Sequence, residues 1–156
     1  MLNSRDLAIL DVLQRDSDTP LAEVGTRVHL SPSACSRRIA HLREAGYIKR
    51  NVAVIDRAKV GLPTTVFVTV SARTHSAAWT EQFRQAVAHI PEVMEVYRLT
   101  GSIDYLLRIV LPSVDDYDRV YKALVARIEM NVVCAYIVME TVKSAESLPL
   151  HQAPRA

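Results

Sequence analysis

The sequence predicts an α+β chain in two parts: an N-terminal winged helix-turn-helix followed by a βαββαβ ferredoxin-like domain. Three observations predict it. Apolar residues recur at helical spacing in three short blocks before Gly46, and only His29 and Leu30 separate the second block from the cap of the third. The period changes to two at Thr64. From there strand and helix patterns follow in the order βαββαβ. The expected parts are residues 1–60, residues 61–147 and a loose tail at 148–156.

The first helix is expected from Ser4 to Arg15, with Leu7, Leu10 and Leu13 on one side and Ile9 and Val12 beside them. Asn3 suits its N-cap, and Asp6 suits its positive end. The second is expected from Pro20 to Val28, capped by Thr19, with Leu21, Val24 and Val28 on a shared face. The third is expected from Pro32 to Ala45, capped by Ser31 and stopped at Gly46. A link as short as His29-Leu30 forces a sharp angle, which is helix-turn-helix geometry.

On the third helix Cys35, Ile39 and Leu42 form the stripe that should be buried. At 100° per residue, Ser33, Arg37, Ala40 and Glu44 point away, with Ser36 and His41 on the flanks. Small residues let a helix sink into a groove, Arg37 can reach guanine or phosphate, and serines can donate to phosphate oxygens. The segment Tyr47–Ile55 reads as a hairpin or extended wing, placing Lys49 and Arg50 near a DNA backbone. The set expected to meet DNA is Ser31, Ser33, Ala34, Ser36, Arg37, Arg38, His41, Lys49 and Arg50. A solvated helix face with a few arginines is the plainer alternative.

Composition fits this reading. Apolar residues make up 49% and charged residues 23%, an average globular mix. Net charge is only +2, but Ser33–Arg50 holds Arg37, Arg38, Arg43, Lys49 and Arg50 against Glu44 alone. No apolar run approaches the ~20 residues of a bilayer crossing. The start Met1-Leu2-Asn3-Ser4-Arg5-Asp6 lacks a signal-peptide layout, so the expected compartment is the cytoplasm. Cys35 and Cys134 show no metal or disulfide spacing and read as small buried apolar residues. No catalytic cluster, phosphate loop or nucleophile elbow appears, so no enzyme and no cofactor is expected.

The stretches Leu30–Ile39 and Leu42–Ile48, then Thr100–Leu107 and Tyr136–Lys143, resemble the leucine-responsive/asparagine regulator (Lrp/AsnC) family. The resemblance covers roughly residues 2–150. It implies a DNA-binding transcription regulator with a RAM-type C-terminal domain that dimerises, often assembles into octamers and commonly binds an amino acid. It also implies an effector pocket between dimers. Thr100, Gly101 and Asp104 would form one wall of that pocket, and Tyr136, Ile137 and Val138 another. Two departures fall near this pocket. Gly101-Ser102-Ile103-Asp104 stands where the family reads Gly-Asp-x-Asp, and Glu129-Met130-Asn131 replaces a Pro-Gly.

The second domain can be read without the family. Val66, Val68 and Val70 alternate with Phe67, Thr69 and Ser71 as a strand. Trp79, Phe83, Val87 and Ile90 mark a helix ended by Pro91. Strands follow at Val93–Leu99 and Tyr105–Leu111, then a helix opened by Ser113 and Asp116, then a strand from Val132 to Val142. Both helices should cover one sheet face. The other keeps apolar side chains, and the simplest cover is a second copy in a two-fold homodimer. Asp104 and Tyr105 also read as a turn cap and a packing residue, and His75 and His89 as solvated helix-end residues.

Two other functions share this layout. A sirohaem decarboxylase branch tends to carry histidines after the wing, and Ile55–Gly61 has none. A metabolite-sensing module without DNA binding has no need of the basic third helix.

Overall fold

The computed structural model describes residues 2–145 and 147–154. They fall into two compact units. One holds the residues up to Val54 together with those from Val142 onward; the other is Ile55–Thr141.

The first unit contains α1 (Ser4–Leu13), α2 (Leu21–Val28) and α3 (Pro32–Glu44). Asn3 Oδ1 accepts from the N–H groups of Arg5 (3.0 Å) and Asp6 (2.9 Å), and the Asp6 carboxylate accepts from the Asn3 N–H (3.3 Å). This reciprocal box satisfies donors that a helix start leaves orphaned. Ile9, Val12, Val24, Val28, Cys35, Ile39 and Leu42 form the shared core. Each such buried side chain contributes about 2 kcal/mol. Helices this short are held by that core rather than by their own propensity.

Two local expectations need correction. Thr19 does not cap α2: it is buried, and its hydroxyl donates to the Asp16 carbonyl at 2.9 Å. Pro20 takes the cap position with an extended ψ of 142°, so the helix begins one residue later. The segment Tyr47–Ile55, expected as a hairpin or an extended wing, contains no strand among the described residues. Nor is the C-terminal segment simply loose. Leu150–Gln152 forms a short 3-10 turn, and Leu148 is hydrogen-bonded to Gln14.

The second unit contains β1 (Thr64–Ala72), α4 (Ala77–Ala88), β2 (Val93–Arg98), β3 (Tyr105–Leu111), α5 (Tyr117–Val125) and β4 (Met130–Ile137). The antiparallel sheet has the order β2-β3-β1-β4. Trp79, Phe83, Ala86 and Ile90 of the α4 region pack with Val120, Leu124 and Ile128 on Val66, Val68, Val70, Leu107 and Ile109. The Ser113–Asp116 box does form, opening the 3-10 turn Val114–Asp116 that leads into α5.

β4 stops at Ile137, short of the expected Val142. Ile137 already pairs with Val66, near the start of β1, so the strand runs out of partner. Only the Val138 N–H reaches further, donating to the Thr65 carbonyl at 2.9 Å. The face away from the helices carries Phe67, Thr69, Leu106, Arg108, Tyr97 and Tyr136. Cys134 is also there, opposite Thr69 on edge strand β4. It is exposed, whereas Cys35 is buried as expected.

Candidate nucleic-acid interface and effector loop

The turn before α3 is set by its backbone. His29 adopts the left-handed conformation (φ 54°), and the Leu30 N–H donates to the Gly25 carbonyl at 2.9 Å. A Cβ on Gly25 would lie 2.5 Å from the Leu30 carbonyl oxygen, so only glycine fits beneath this turn. Ser31 Oγ then accepts from the Ala34 N–H at 3.3 Å, and Pro32 begins α3. Gly46 ends the helix region at φ +76°, with the Tyr47 N–H donating to the Leu42 carbonyl at 2.9 Å.

These ends fix how α3 faces. Cys35, Ile39 and Leu42 are buried, while Ser33, Ser36, Arg37, Ala40 and His41 are exposed and Ala34 is half-buried. Lys49 and Arg50 are exposed on the irregular segment after Gly46. Among the described residues, no ion pair engages Arg37, Arg43, Lys49 or Arg50. Arg43, absent from the expected contact set, is an exposed cation on the same helix.

Arg38 differs from these. Its Nη1 donates to Asp6 Oδ1 at 2.7 Å, and the Asp6 carboxylate is only 12% exposed. One guanidinium nitrogen is thereby committed inside the unit. Arg38 ties α3 to the capping box of α1, which spacing along α3 alone gave no sign of.

In the second unit, the loop between β2 and β3 is built around Asp104. The Leu99 N–H donates to the Asp104 carbonyl (2.8 Å), and the Asp104 N–H donates to the Val70 carbonyl (3.1 Å). Its Oδ2 accepts from the Ala72 N–H at 2.7 Å, and Oδ1 lies 3.6 Å from His75 Nδ1. Gly101, at φ +116°, makes the turn possible. Thr100, Gly101 and Ser102 are exposed. Tyr105 is buried, with its ring 4.4 Å from Phe83, so it belongs to the core.

Within one chain the two expected effector walls do not meet. The Asp104 loop adjoins Val70 and Ala72 at the end of β1, where β4 starts at Met130. Tyr136, Ile137 and Val138 lie beside Phe67, Val66 and Thr65 at the other end. Val66 and Val70 are four residues apart, roughly 13 Å at strand rise.

The uncovered sheet face carries one charged cluster. Arg108 donates from Nε and Nη2 to the two Glu95 oxygens, both at 2.8 Å, and the Tyr97 hydroxyl donates to Oε2 at 2.8 Å. The Arg108 bonds, then that of Tyr97, hold the Glu95 carboxyl down from an ordinary 4.5 to about 2.

A winged helix-turn-helix DNA-binding model matches residues 2–49, and the Lrp/AsnC ligand-binding domain model matches residues 65–148. This chain belongs to the Lrp/AsnC family. It is a transcriptional regulator that binds DNA through its N-terminal helices, as its relatives' names agree. It is 50% identical to the HTH-type transcriptional regulator Zrp of Zymomonas mobilis, over 96% of this chain and 97% of that protein. It is 33% identical to the DNA-binding transcriptional activator DecR of Escherichia coli, over 96% of this chain and 99% of that one. Among solved structures, an AsnC family regulator from Agrobacterium tumefaciens superposes with a TM-score of 0.93 at 40% identity, covering 98% of this chain and 100% of that chain. A Neisseria meningitidis regulator solved as a complex with L-Met gives 0.90 at 32% identity, covering 96% and 97%. These Lrp/AsnC relatives are regulators rather than enzymes.

Proposed function

We propose that this Lrp/AsnC regulator binds DNA as a two-fold homodimer, or as a tetramer of such dimers, and that a free amino acid adjusts its assembly. The observation that carries the DNA contact is the exposed face of α3, with small Ser33, Ser36 and Ala40 around Arg37, which has no ion pair among the described residues. Ser31, Ala34, His41, Lys49 and Arg50 extend this surface, while Arg38 acts by holding the helix. Two such helices would enter successive major grooves about 34 Å apart on a near-palindromic site. The uncovered sheet face, with Phe67, Leu106 and Tyr136, supplies the dimer surface. No helix of the described residues is long and apolar enough to cross a membrane. The place of action is then the cytoplasm, where bacterial DNA lies.

The effector reading rests on the Asp104 loop and on a relative solved with L-Met. Turn amides and a carboxylate suit the carboxylate and ammonium of an amino acid. Because Tyr136–Val138 lie at the opposite end of β1, a pocket using both walls takes them from different chains.

Anisotropy titrations on a duplex from the protein's own promoter test the DNA contact. Affinity should fall with salt at a log–log slope of roughly −0.9 per phosphate neutralised. Arg37→Ala should weaken binding roughly tenfold. Unchanged affinity contradicts the placement of α3. Sedimentation with each of the twenty amino acids tests the effector, and no change in size with any of them removes that half of the reading.

A further inference from the structure

Residues 147–153 lie against α1. Gln14 closes that helix, and its side-chain amide brackets one residue of the C-terminal segment. Nε2 donates to the Leu148 carbonyl at 3.0 Å, and Oε1 accepts from the Leu148 N–H at 2.9 Å. This is the exchange of two bonds that a neighbouring strand residue makes. Asp11 Oδ1 also accepts from Nε2 at 2.9 Å, so three partners agree on which way the amide points. That bond, with Arg15 beside it and the more distant charge of His151, holds the Asp11 carboxyl below its ordinary range. Leu7 is buried yet stands outside the three-helix core. It lines a cavity of about 650 Å³ with Ala8, Leu148, Pro149 and Leu150.

We infer that residues 147–153 are a detachable strap of the DNA-binding unit, whose docking on α1 sets how firmly α3 is held. The route from strap to α3 is short. Gln14 and Asp6 sit at the two ends of α1, and Asp6 bonds Arg38 of α3 at 2.7 Å. The strap can leave without disturbing the sheet. Residues 139–145 are exposed and irregular, with Met139 at 99% and Val142 at 89%. The ten residues from Val138 to Leu148 can span up to about 33 Å. Docking stands on the bracket and on the cavity that Leu7 shares with Leu148–Leu150. Its effect on DNA binding rests on the reading of α3 as the DNA-facing helix.

Three variants of the full regulator test this: Gln14→Leu, a chain ending at residue 145, and the two combined. Hydrogen exchange of the Leu7–Leu13 amides should speed up roughly tenfold in each, with β1 and β3 unchanged. Promoter affinity should fall three- to tenfold, and the combined variant should match the truncation, since both changes remove one contact. Unchanged exchange in α1 overturns the strap. So does an additive combined variant. Faster exchange with undiminished promoter affinity overturns the link to α3. Absence of promoter binding by the unaltered chain defeats the DNA-contact reading and that link together, while leaving docking to be decided by exchange.

Discussion

Asp6 Oδ1 accepts from Arg38 Nη1 at 2.7 Å while the same carboxylate caps its own helix through the Asn3 N–H. One buried side chain therefore caps the start of α1 and positions α3. Asp6→Ala should lower stability by about 2 kcal/mol, since it removes a capping bond and leaves Arg38 without its partner. Asp6→Ala and Arg38→Ala should couple by more than 0.5 kcal/mol in a double-mutant cycle followed by urea unfolding, roughly the threshold for residues in contact. Strict additivity would show the pair to be incidental.

Gly25→Ala should damage the helix-turn-helix. The new methyl meets the Leu30 carbonyl oxygen at 2.5 Å, and a backbone atom cannot swing aside as a side-chain tip can. Overpacking of this kind costs about 1–3 kcal/mol. The expected result is a lower thermal midpoint and weaker promoter binding, with the turn before α3 the first region to lose exchange protection.

Glu95 and Arg108 give the second unit a pH signature. Folding lowers the Glu95 carboxyl from an ordinary 4.5 to about 2. Above pH 4.5 both folded and unfolded chains carry it ionised, and the contribution of the pair is complete. As pH falls from 4.5 toward 2 the unfolded chain takes up a proton first, and the contribution disappears. Glu95 is 40% exposed, so solvent screening leaves about 1 kcal/mol or less. Urea unfolding of Glu95→Gln against the parent should show that gap at pH 7 and none near pH 2.

Asp104 can be dissected by two substitutions. Asp104→Asn keeps an oxygen for the Ala72 N–H but loses the charge; Asp104→Ala loses both. The asparagine variant should unfold close to the parent temperature yet lose the amino-acid response in sedimentation. The alanine variant should also lose about 1–2 kcal/mol of stability. An asparagine variant that responds normally would make Asp104 a loop brace only.

What could be read from the sequence was what neighbours along the chain decide. Ser31, Pro32 and Gly46 mark the ends of α3 through local backbone chemistry, and the alternation from Thr64 shows a strand wherever it lies. What could not be read depended on partners far along the chain. Arg38 looked like its exposed neighbours because Asp6 lies 32 residues away. Leu148 looked untethered because its partner, Gln14, is 134 residues distant. β4 is shorter than its apolar pattern, which continues past Ile137, where β1 no longer accompanies it. The separation of Asp104 from Tyr136 is likewise a matter of register, which periodicity does not carry. Gly25 did have a local signal, a glycine in the last turn of a helix just before a sharp bend.

The placement of Asp104 and Tyr136 at opposite ends of one strand has a consequence for signalling. Under the proposed reading, a solitary molecule offers half a binding site. Effector affinity measured in dilute solution should then climb as more regulator is added, by mass action. Such a sensor gauges its own abundance together with that of the nutrient, and a cell poor in regulator would be deaf to a signal that a richer one hears.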